Sequence, residues 1–452
     1  MDPVAARRLL SGRQVVHGVH TLLWALDLWQ AEPGDELSSL SCEFSNPVNV
    51  GDQVVFTRFD EERSRSTIAA TVASLRCTHI TIETHQDISK SHCAGKRFPD
   101  ATRIGLLNEP LDEPPTGQAG RRFIMDSEGA GPLALRFTNA AAWLLPERLA
   151  ALATLSRFVG MVCPGLHSVF SSVRLELGEA KGSPDELTFE VKKYDDRFGL
   201  FIVAFEGCIR GEIRAFQRPP PIPQPSMRDV AARVSPGEFR GARSLVIGGS
   251  RGLGETVAKI LAAGSGDVTI SWASGAKDAQ RVADEINAHA AGRCKVLKFD
   301  LTTDAFDSLG VDARLLDSVY FFATPRIFRK KEAVFDRLQF EEFLSFYVDR
   351  FKDLCMWLEN GERQGKVKVY FPSTVFVSDR TKGLTEYAMA KSAAEVFAED
   401  LNRSLDNVRI VSSRLPRLAT DQTSSILHLG SDSTLDALLP VVRRLDGQGS
   451  EV

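Results

Sequence analysis

The sequence predicts two architectures in one chain: an α+β arrangement of antiparallel strands and buried helices up to residue 217, and a doubly wound α/β parallel sheet after residue 240. Three observations carry that prediction. Six prolines, at 219, 220, 221, 223, 225 and 236, crowd the stretch from Gln217 to Gly241. They remove backbone donors and hold the chain extended, which marks a semi-rigid linker. After it, short apolar strands alternate with helical stretches, as parallel strands joined by crossover helices require. Before it, a helix followed by a run of strands occurs twice.

In chain order, a helix over 18–30 precedes strands at 37–44, 53–59, 66–75 and 78–83. A second helix over 146–157 leads to strands at 165–172, 186–194, 198–205 and 208–216. A weak internal repeat links the halves: Val15 to Leu22 and Met161 to Val169 align His17 with Pro164, Gly18 with Gly165, and His20 with His167. The N-terminal part therefore divides into lobes 1–128 and 129–217, with 218–240 as linker. Beyond it, strands begin at Ser244, Asp267, Lys295, Ser318, Lys366 and Val408, with helices over 277–290 and 386–405. This α/β domain spans 241–430, and 431–452 forms a tail.

Composition narrows the function. Of 452 residues, 55 are basic and 59 acidic, and the resulting net charge of −4 gives no electrostatic footprint for nucleic acid or an anionic membrane. The apolar run Thr21 to Trp29 is short and broken by Asp27, so no membrane span is expected. Seven cysteines lack any Cys-x-x-Cys spacing and read as reduced thiols of a cytoplasmic protein. His79, His85 and His92 form no metal-ligand pattern, and no metal is expected.

The first strand after the linker runs into Ile247-Gly248-Gly249-Ser250-Arg251-Gly252-Leu253-Gly254 and then a helix. Glycines there permit a tight turn, close backbone approach to a pyrophosphate and tight helix–strand contact. The helix start adds unpaired N–H groups and the positive end of a dipole. This half thus reads as a Rossmann-like dinucleotide site, with Gly248, Ser250, Arg251, Gly252, Leu253 and Gly254 as cofactor contacts. The second strand ends at Ser271-Trp272-Ala273-Ser274 with no carboxylate for a ribose 2′-OH, while Arg251 can pair with a 2′-phosphate, assisted by Lys277. NADP is expected in preference to NAD. Asp300, after the third strand, is placed to accept the adenine amino group.

The glycine turn, with Tyr387-Ala-Met-Ala-Lys391 far downstream, resembles the short-chain dehydrogenase/reductase family over residues 240–423. Positions four apart on a helix face the same way, so the Lys391 ammonium is expected beside the Tyr387 phenol, bringing its pKa nearer neutral. Tyr387 would then protonate a carbonyl oxygen as hydride arrives, with Lys391 also holding the nicotinamide ribose. A hydroxyl should polarise the same carbonyl: Thr374 stands thirteen residues before Tyr387 and Ser373 fourteen, and both remain candidates. Ala323 and Thr420 complete the expected cofactor contacts. The chain departs from the family in Phe321-Phe322-Ala323-Thr324, where Asn-Asn-Ala-Gly is usual, in Pro416-Arg417 for Pro-Gly, and in the stretch 343–349, which lacks a counterpart to the catalytic asparagine.

In the front half, His17-Gly18 at a helix start, followed by Phe44-Ser-Asn-Pro-Val-Asn-Val-Gly-Asp52, resembles the MaoC-like hydratase/dehydratase branch of the hot-dog fold. The resemblance implies a double hot dog, with a glycine N–H directed at the thioester oxygen of an acyl-CoA or acyl carrier protein. His17, Gly18, His20 and Gly165 are its candidate residues. The family's Asp-x-Asn-Pro-x-His segment would precede residue 1. The bland alternative makes His17 a helix cap, with His20 and His167 as core residues.

Together these readings predict an NADP-dependent ketoreductase acting on a 3-oxoacyl thioester, with a dehydratase-like acyl-binding region. The alternatives are a non-catalytic ligand-binding scaffold with both folds, or a reductase of a sugar or polyketide carbonyl. The resemblance further implies a homodimer or homotetramer.

Overall fold

The computed structural model describes residues 14–29, 36–62, 64–73, 75–85, 100–114, 116–177, 185–218, 222–273, 275–290, 292–327, 334–360, 363, 365–421 and 432–447. The chain separates into two compact units, changing over between residues 220 and 221.

The N-terminal unit is built on one ten-stranded sheet. Its strands are β1 (Glu36–Phe44), β2 (Val55–Glu62), β3 (Arg65–Val72), β4 (Leu75–His85), β5 (Thr102–Ile104), β6 (Arg122–Asp126), β7 (Ser168–Glu176), β8 (Glu186–Asp195), β9 (Leu200–Glu206) and β10 (Arg210–Gln217). They lie in the order β2-β3-β4-β1-β7-β10-β9-β8-β6-β5. The antiparallel β1–β7 pair, with Leu40 opposite Leu175, is the seam. Outward from it the first eight strands follow the same order on both sides, so two copies of one helix-plus-four-strand topology share a continuous sheet. Alternation in β4 and β9 turns every second residue inward, as a sheet covered on one face demands. The helices Gly18–Leu28 and Pro146–Met161 cover that face, where Leu22, Leu26, Leu152, Leu155 and Phe158 enter one core with both sheet halves.

The sequence repeat is off register, however. Gly18 opens its helix, whereas Gly165 follows the end of the second helix and precedes β7. The topological repeat pairs helix with helix, and the matched His-Gly and Pro-Gly dipeptides occupy opposite helix ends. The lobe boundary at 128 also shifts, because β6 pairs with β8 and extends the second half.

Asp27, which interrupts the first helix's apolar run, has a structural task. Buried among apolar neighbours, its Oδ1 accepts from the backbone N–H groups of Asn139 (2.9 Å) and Ala140 (3.0 Å) at the start of the helix Thr138–Leu144.

The C-terminal unit holds six parallel strands: β11 (Arg243–Ile247), β12 (Asp267–Trp272), β13 (Arg293–Lys298), β14 (Ser318–Phe321), β15 (Val367–Thr374) and β16 (Val408–Leu415). Their order is β13-β12-β11-β14-β15-β16, the doubly wound Rossmann arrangement. Both faces are covered. Val246 joins a core with the helices Gly252–Ala263, Ala276–His289 and Thr434–Asp446, while its neighbours Leu245 and Ile247 point into a second core with the helices Arg350–Glu359 and Thr385–Ser404. Strand order reverses between β11 and β14, which opens a crevice beyond their carboxyl ends.

Two expected boundaries move. Much of the segment read as linker belongs to this unit: Met227, Val230, Val234 and Phe239 are core residues, and Ser226 and Asp229 form a capping box on the helix Met227–Ala231. The tail is integral too, since Leu438, Leu439 and Val442 of the helix Thr434–Asp446 are buried against the glycine-turn helix. Periodicity was available in both places, but the prolines before one and the polar residues around the other obscured it. No described helix is long and apolar enough to cross a membrane.

Replacing Asp27 with alanine leaves two N–H groups, that of Ala140 buried, without their acceptor. The expected outcome of Asp27→Ala is a loss of about 2 kcal/mol in urea unfolding monitored on the N-terminal unit, with Asp27→Asn losing less.

Candidate active site

The glycine turn sits where β11 ends. Gly248 adopts φ +83°, and a Cβ there would stand 2.8 Å from the Ala323 nitrogen after β14. At Gly254 a Cβ would meet the Gly248 carbonyl oxygen at 2.3 Å. Bare backbone is thus obligatory on both sides of the turn. Ser271 at the end of β12 fixes the loop: its Oγ accepts from the Gly248 N–H at 3.2 Å, and its carbonyl accepts from the Gly249 N–H at 3.1 Å. The helix Gly252–Ala263 then begins from an extended Arg251, and no side chain caps it. Its first-turn N–H groups and dipole form the seat a pyrophosphate requires, so these residues fit a dinucleotide.

The other expected cofactor contacts surround this turn. Thr420 turns its methyl group toward Gly252, about the distance of van der Waals contact from a Cβ built there, at 3.7 Å. Asp300 uses Oδ1 locally, accepting from the backbone (2.9 Å) and hydroxyl (2.6 Å) of Thr302. Asp278 is an addition from the structure: this buried carboxylate and the Ser250 hydroxyl both lie 3.5 Å from the position of a Cβ on Gly275. Asp278 belongs to the first turn of the helix Ala276–His289, beyond the end of β12.

The Tyr387-x-x-x-Lys391 pair lies on the helix Thr385–Ser404, and both residues are buried. Adjacent strand positions turn the two candidate hydroxyls to different neighbours. Thr374 acts on the Tyr387 phenol, opposing the effect of its burial, and its Oγ1 accepts from the Phe376 N–H at 3.3 Å. Ser373 faces away, donating to Glu395, whose carboxylate holds Arg414 at 2.6 and 2.8 Å. Pleating separates the two candidates completely.

The electrostatics correct one expectation. Burial pushes the Tyr387 phenol above its usual range, opposed by Thr374. Burial likewise brings the Lys391 ammonium down to about 7, opposed by Glu395. The reason is geometric: the Lys391 Nζ donates to the Pro372 carbonyl at 2.7 Å and lies 3.8 Å from the Tyr347 ring centroid and 4.4 Å from that of Phe371, but 5.9 Å from the centre of the Tyr387 ring. Desolvation, rather than the neighbouring charge, dominates both groups.

Tyr347 was not singled out in the sequence. It occupies a π-helical turn, Ser345–Asp349, between the helices Arg337–Leu344 and Arg350–Glu359, inside the stretch with no asparagine counterpart. Its phenol hydrogen-bonds Thr324, one residue beyond Ala323. A continuous path therefore runs from Gly248 through Ala323, Thr324 and Tyr347 to Lys391, Tyr387 and Thr374.

The N-terminal candidates are less concerted. His17 precedes the helix Gly18–Leu28 without capping it, and its Nδ1 lies 3.3 Å from the Ser156 hydroxyl. Gly18 packs under Phe44, where a Cβ would approach the ring to 2.7 Å. Gly165, with φ +80°, donates its N–H to the Val159 carbonyl at 3.0 Å and therefore offers no helix-start donor. His20 is exposed rather than in the core, and its Nε2 accepts from the Trp24 indole at 3.1 Å. Desolvation lowers the pKa of His17 and of His20, with Arg136 adding to the second. His167 approaches Asp112 to 3.9 Å. His20, Trp24, Val48, Val54 and Phe56 help line a cavity of about 350 Å³.

The fold and this arrangement define a Rossmann-like α/β unit whose glycine turn fits a dinucleotide, carrying a buried tyrosine–threonine–lysine cluster. Solved structures similar to the chain include an NADP complex of a short-chain dehydrogenase from Burkholderia cenocepacia, 20% identical over 48% of this chain and 94% of that one, with a TM-score of 0.41. Landomycin C-6 ketoreductase LanV with bound NADP and rabelomycin is 22% identical over 47% and 91%, also at 0.41. A short-chain dehydrogenase/reductase from Serratia marcescens is 18% identical over 48% and 94%, again at 0.41. No family model and no curated protein matches the sequence.

Lys391 links this site to a measurable pH dependence. Its folded pKa of about 7 lies below the roughly 10.4 of an unfolded lysine, so the unfolded chain binds more protons between those values. Stability is expected to rise with pH across that window, and Lys391→Met should remove this contribution. Paired denaturation curves at pH 7 and pH 10 check both the sign and the residue.

Proposed function

We propose that the C-terminal unit is an NADP-dependent carbonyl reductase of the short-chain dehydrogenase type. The observation that carries this reading is the Thr374–Tyr387 hydroxyl pair, connected by the Ala323–Tyr347 path to the glycine turn at the sheet's switch point. When bound, reduced nicotinamide supplies a hydride to the carbonyl carbon. Tyr387 stays protonated because of its burial, and its O–H donates to the carbonyl oxygen as negative charge develops there. Thr374 orients that phenol and offers a second hydroxyl to the same oxygen. Lys391 would contact the nicotinamide ribose. Ser250, Gly252, Leu253 and Gly254 would hold the pyrophosphate through backbone N–H groups, the bare Gly248 leaving room for its approach, and Arg251 would take the 2′-phosphate. The lack of a carboxylate at Ser271 and Trp272 supports NADP over NAD.

The substrate in this proposal is a 3-oxoacyl thioester of CoA or acyl carrier protein. Its support comes from the N-terminal unit, read as a double hot dog: a helix-plus-four-strand topology repeated about the β1–β7 seam, and an apolar cavity beside His20 that suits an acyl chain. A second reading, ligand binding without turnover, is favoured by the deep burial of Lys391. Consumption of NADPH separates the two.

Following NADPH oxidation with a short 3-oxoacyl thioester, Tyr387→Phe is expected to lower kcat by about a hundredfold or more with NADPH affinity retained. Thr374→Ala should also lose activity, whereas Ser373→Ala should keep most of it. Equal losses at Thr374 and Ser373 would contradict the assignment of the hydroxyl.

A further inference from the structure

The turn at Ser345–Asp349 interrupts an otherwise continuous helical run with one π-helical turn, a feature that re-aims side chains. The side chain buried there is Tyr347. Its ring has four engagements, one of them an edge-on contact with Phe371 at 6.3 Å. The Lys391 ammonium sits over its face, 3.8 Å from the centroid. The Tyr387 ring meets it edge-on at 6.0 Å, and Phe343 stacks on it at 5.8 Å. At its far end the phenol engages Thr324, whose hydroxyl donates to the Pro325 carbonyl at 3.0 Å and so leaves its oxygen to accept from Tyr347. Thr324 directly follows Ala323, the residue against which Gly248 closes.

We infer that Tyr347 is a positioning residue of the reductase site, its ring seating the Lys391 ammonium while its phenol locks that seat to the strand end bordering the glycine turn. The inference rests on the reductase reading and goes beyond it by assigning a part to a residue outside the Tyr-x-x-x-Lys motif. The physics is specific. An ammonium removed from water keeps its charge only where other groups replace the lost solvation. The Pro372 carbonyl supplies one hydrogen bond, and the faces of Tyr347 and Phe371 supply the quadrupole attraction. Tyr347 itself is held neutral, since burial and then Tyr387 raise its pKa, so it acts through its ring and its donated hydrogen bond. The titratable groups around Lys391 are Tyr387 and Glu395 on its own helix and Tyr347 across from it. Glu395 is engaged by Arg414 and Ser373, and β15 contributes the Pro372 carbonyl and the Phe371 ring. Of these, Tyr347 alone bridges the lysine to the β14 end of the cofactor cradle.

Three variants test this in the full-length chain. Tyr347→Phe keeps the ring and loses the tether, and Thr324→Val removes the tether from the other side without opening a cavity. Both are expected to lower kcat by roughly tenfold, with the midpoint of the pH–rate profile unchanged. Tyr347→Leu removes the cation seat, and its midpoint is expected to move to lower pH by about one unit. Should Tyr347→Leu be too unstable for kinetics, Tyr347→Met replaces it with more of the volume retained. An activity-free readout accompanies these: the pH dependence of stability that Lys391→Met removes should shift to lower pH in the leucine or methionine background and stay in place in Tyr347→Phe. A wild-type profile in all variants, with only the melting temperature lowered, overturns the inference while leaving the reductase reading intact. Wild-type protein that fails to oxidise NADPH, combined with an unshifted stability profile, overturns both.

Discussion

The approach of two strand ends to within bare-backbone distance is the constraint on which the C-terminal unit depends. β11 and β14 are adjacent where the winding of the sheet reverses, and the chain leaving each must pass the other. Gly248 has no room for a side chain against Ala323, and Gly254 has none against Gly248. That closeness brings a helix start, the end of β14 and the residues following it to one place. Thr324 belongs to that end, and its bond to Tyr347 extends the same constraint to the helix carrying Tyr387 and Lys391. A single added methyl group at 248 would therefore disturb the turn and loosen what stands behind it.

Inside the site, removal of water matters more than proximity of charge. A lysine one helical turn from a tyrosine invites the conclusion that the ammonium acidifies the phenol. The buried geometry produces a different balance: the phenol retains its proton more firmly, and the ammonium is held less firmly than in water. In the proposed reduction, where Tyr387 delivers a proton to a developing alkoxide, that balance is serviceable. It keeps Tyr387 in its donating form across neutral pH. The arrival of charged ligand groups beside Lys391 would then favour its protonated state, by the ordinary attraction of opposite charges in a poorly solvated place.

Much of the C-terminal architecture was legible because its signals are local. Apolar runs such as Leu245-Val246-Ile247 are strands covered on both faces, and glycines at 248, 252 and 254 have steric reasons readable from spacing. Tyr387 and Lys391 were legible for the same reason, being four apart on a helix. Contacts between distant segments were not. Choosing Thr374 over Ser373 required the pleat direction at the end of β15, which a two-residue sequence window leaves open. Tyr347 lay in an aromatic stretch whose helical period is broken by a π-turn, and its partner Thr324 is 23 residues upstream. In the N-terminal unit, the doubled helix-and-strand pattern was visible, yet the short His-Gly likeness misled on register because a helix start and a pre-strand turn both favour glycine. The strands β5 and β6 were missed, being short: β6 lies about sixty residues before its partner β8, and β5 pairs with β6.

The proposed function is transfer of a hydride between a bound nicotinamide and a carbonyl carbon, and isotope transfer reads that event directly. The protein would be incubated with NADPH deuterated at C4 on each face in turn, together with a 3-oxoacyl thioester, and the product examined by mass spectrometry. Deuterium at the carbinol carbon from one face of the nicotinamide and not the other is the predicted result. Product without deuterium from either face, or cofactor and thioester recovered unchanged, would contradict it.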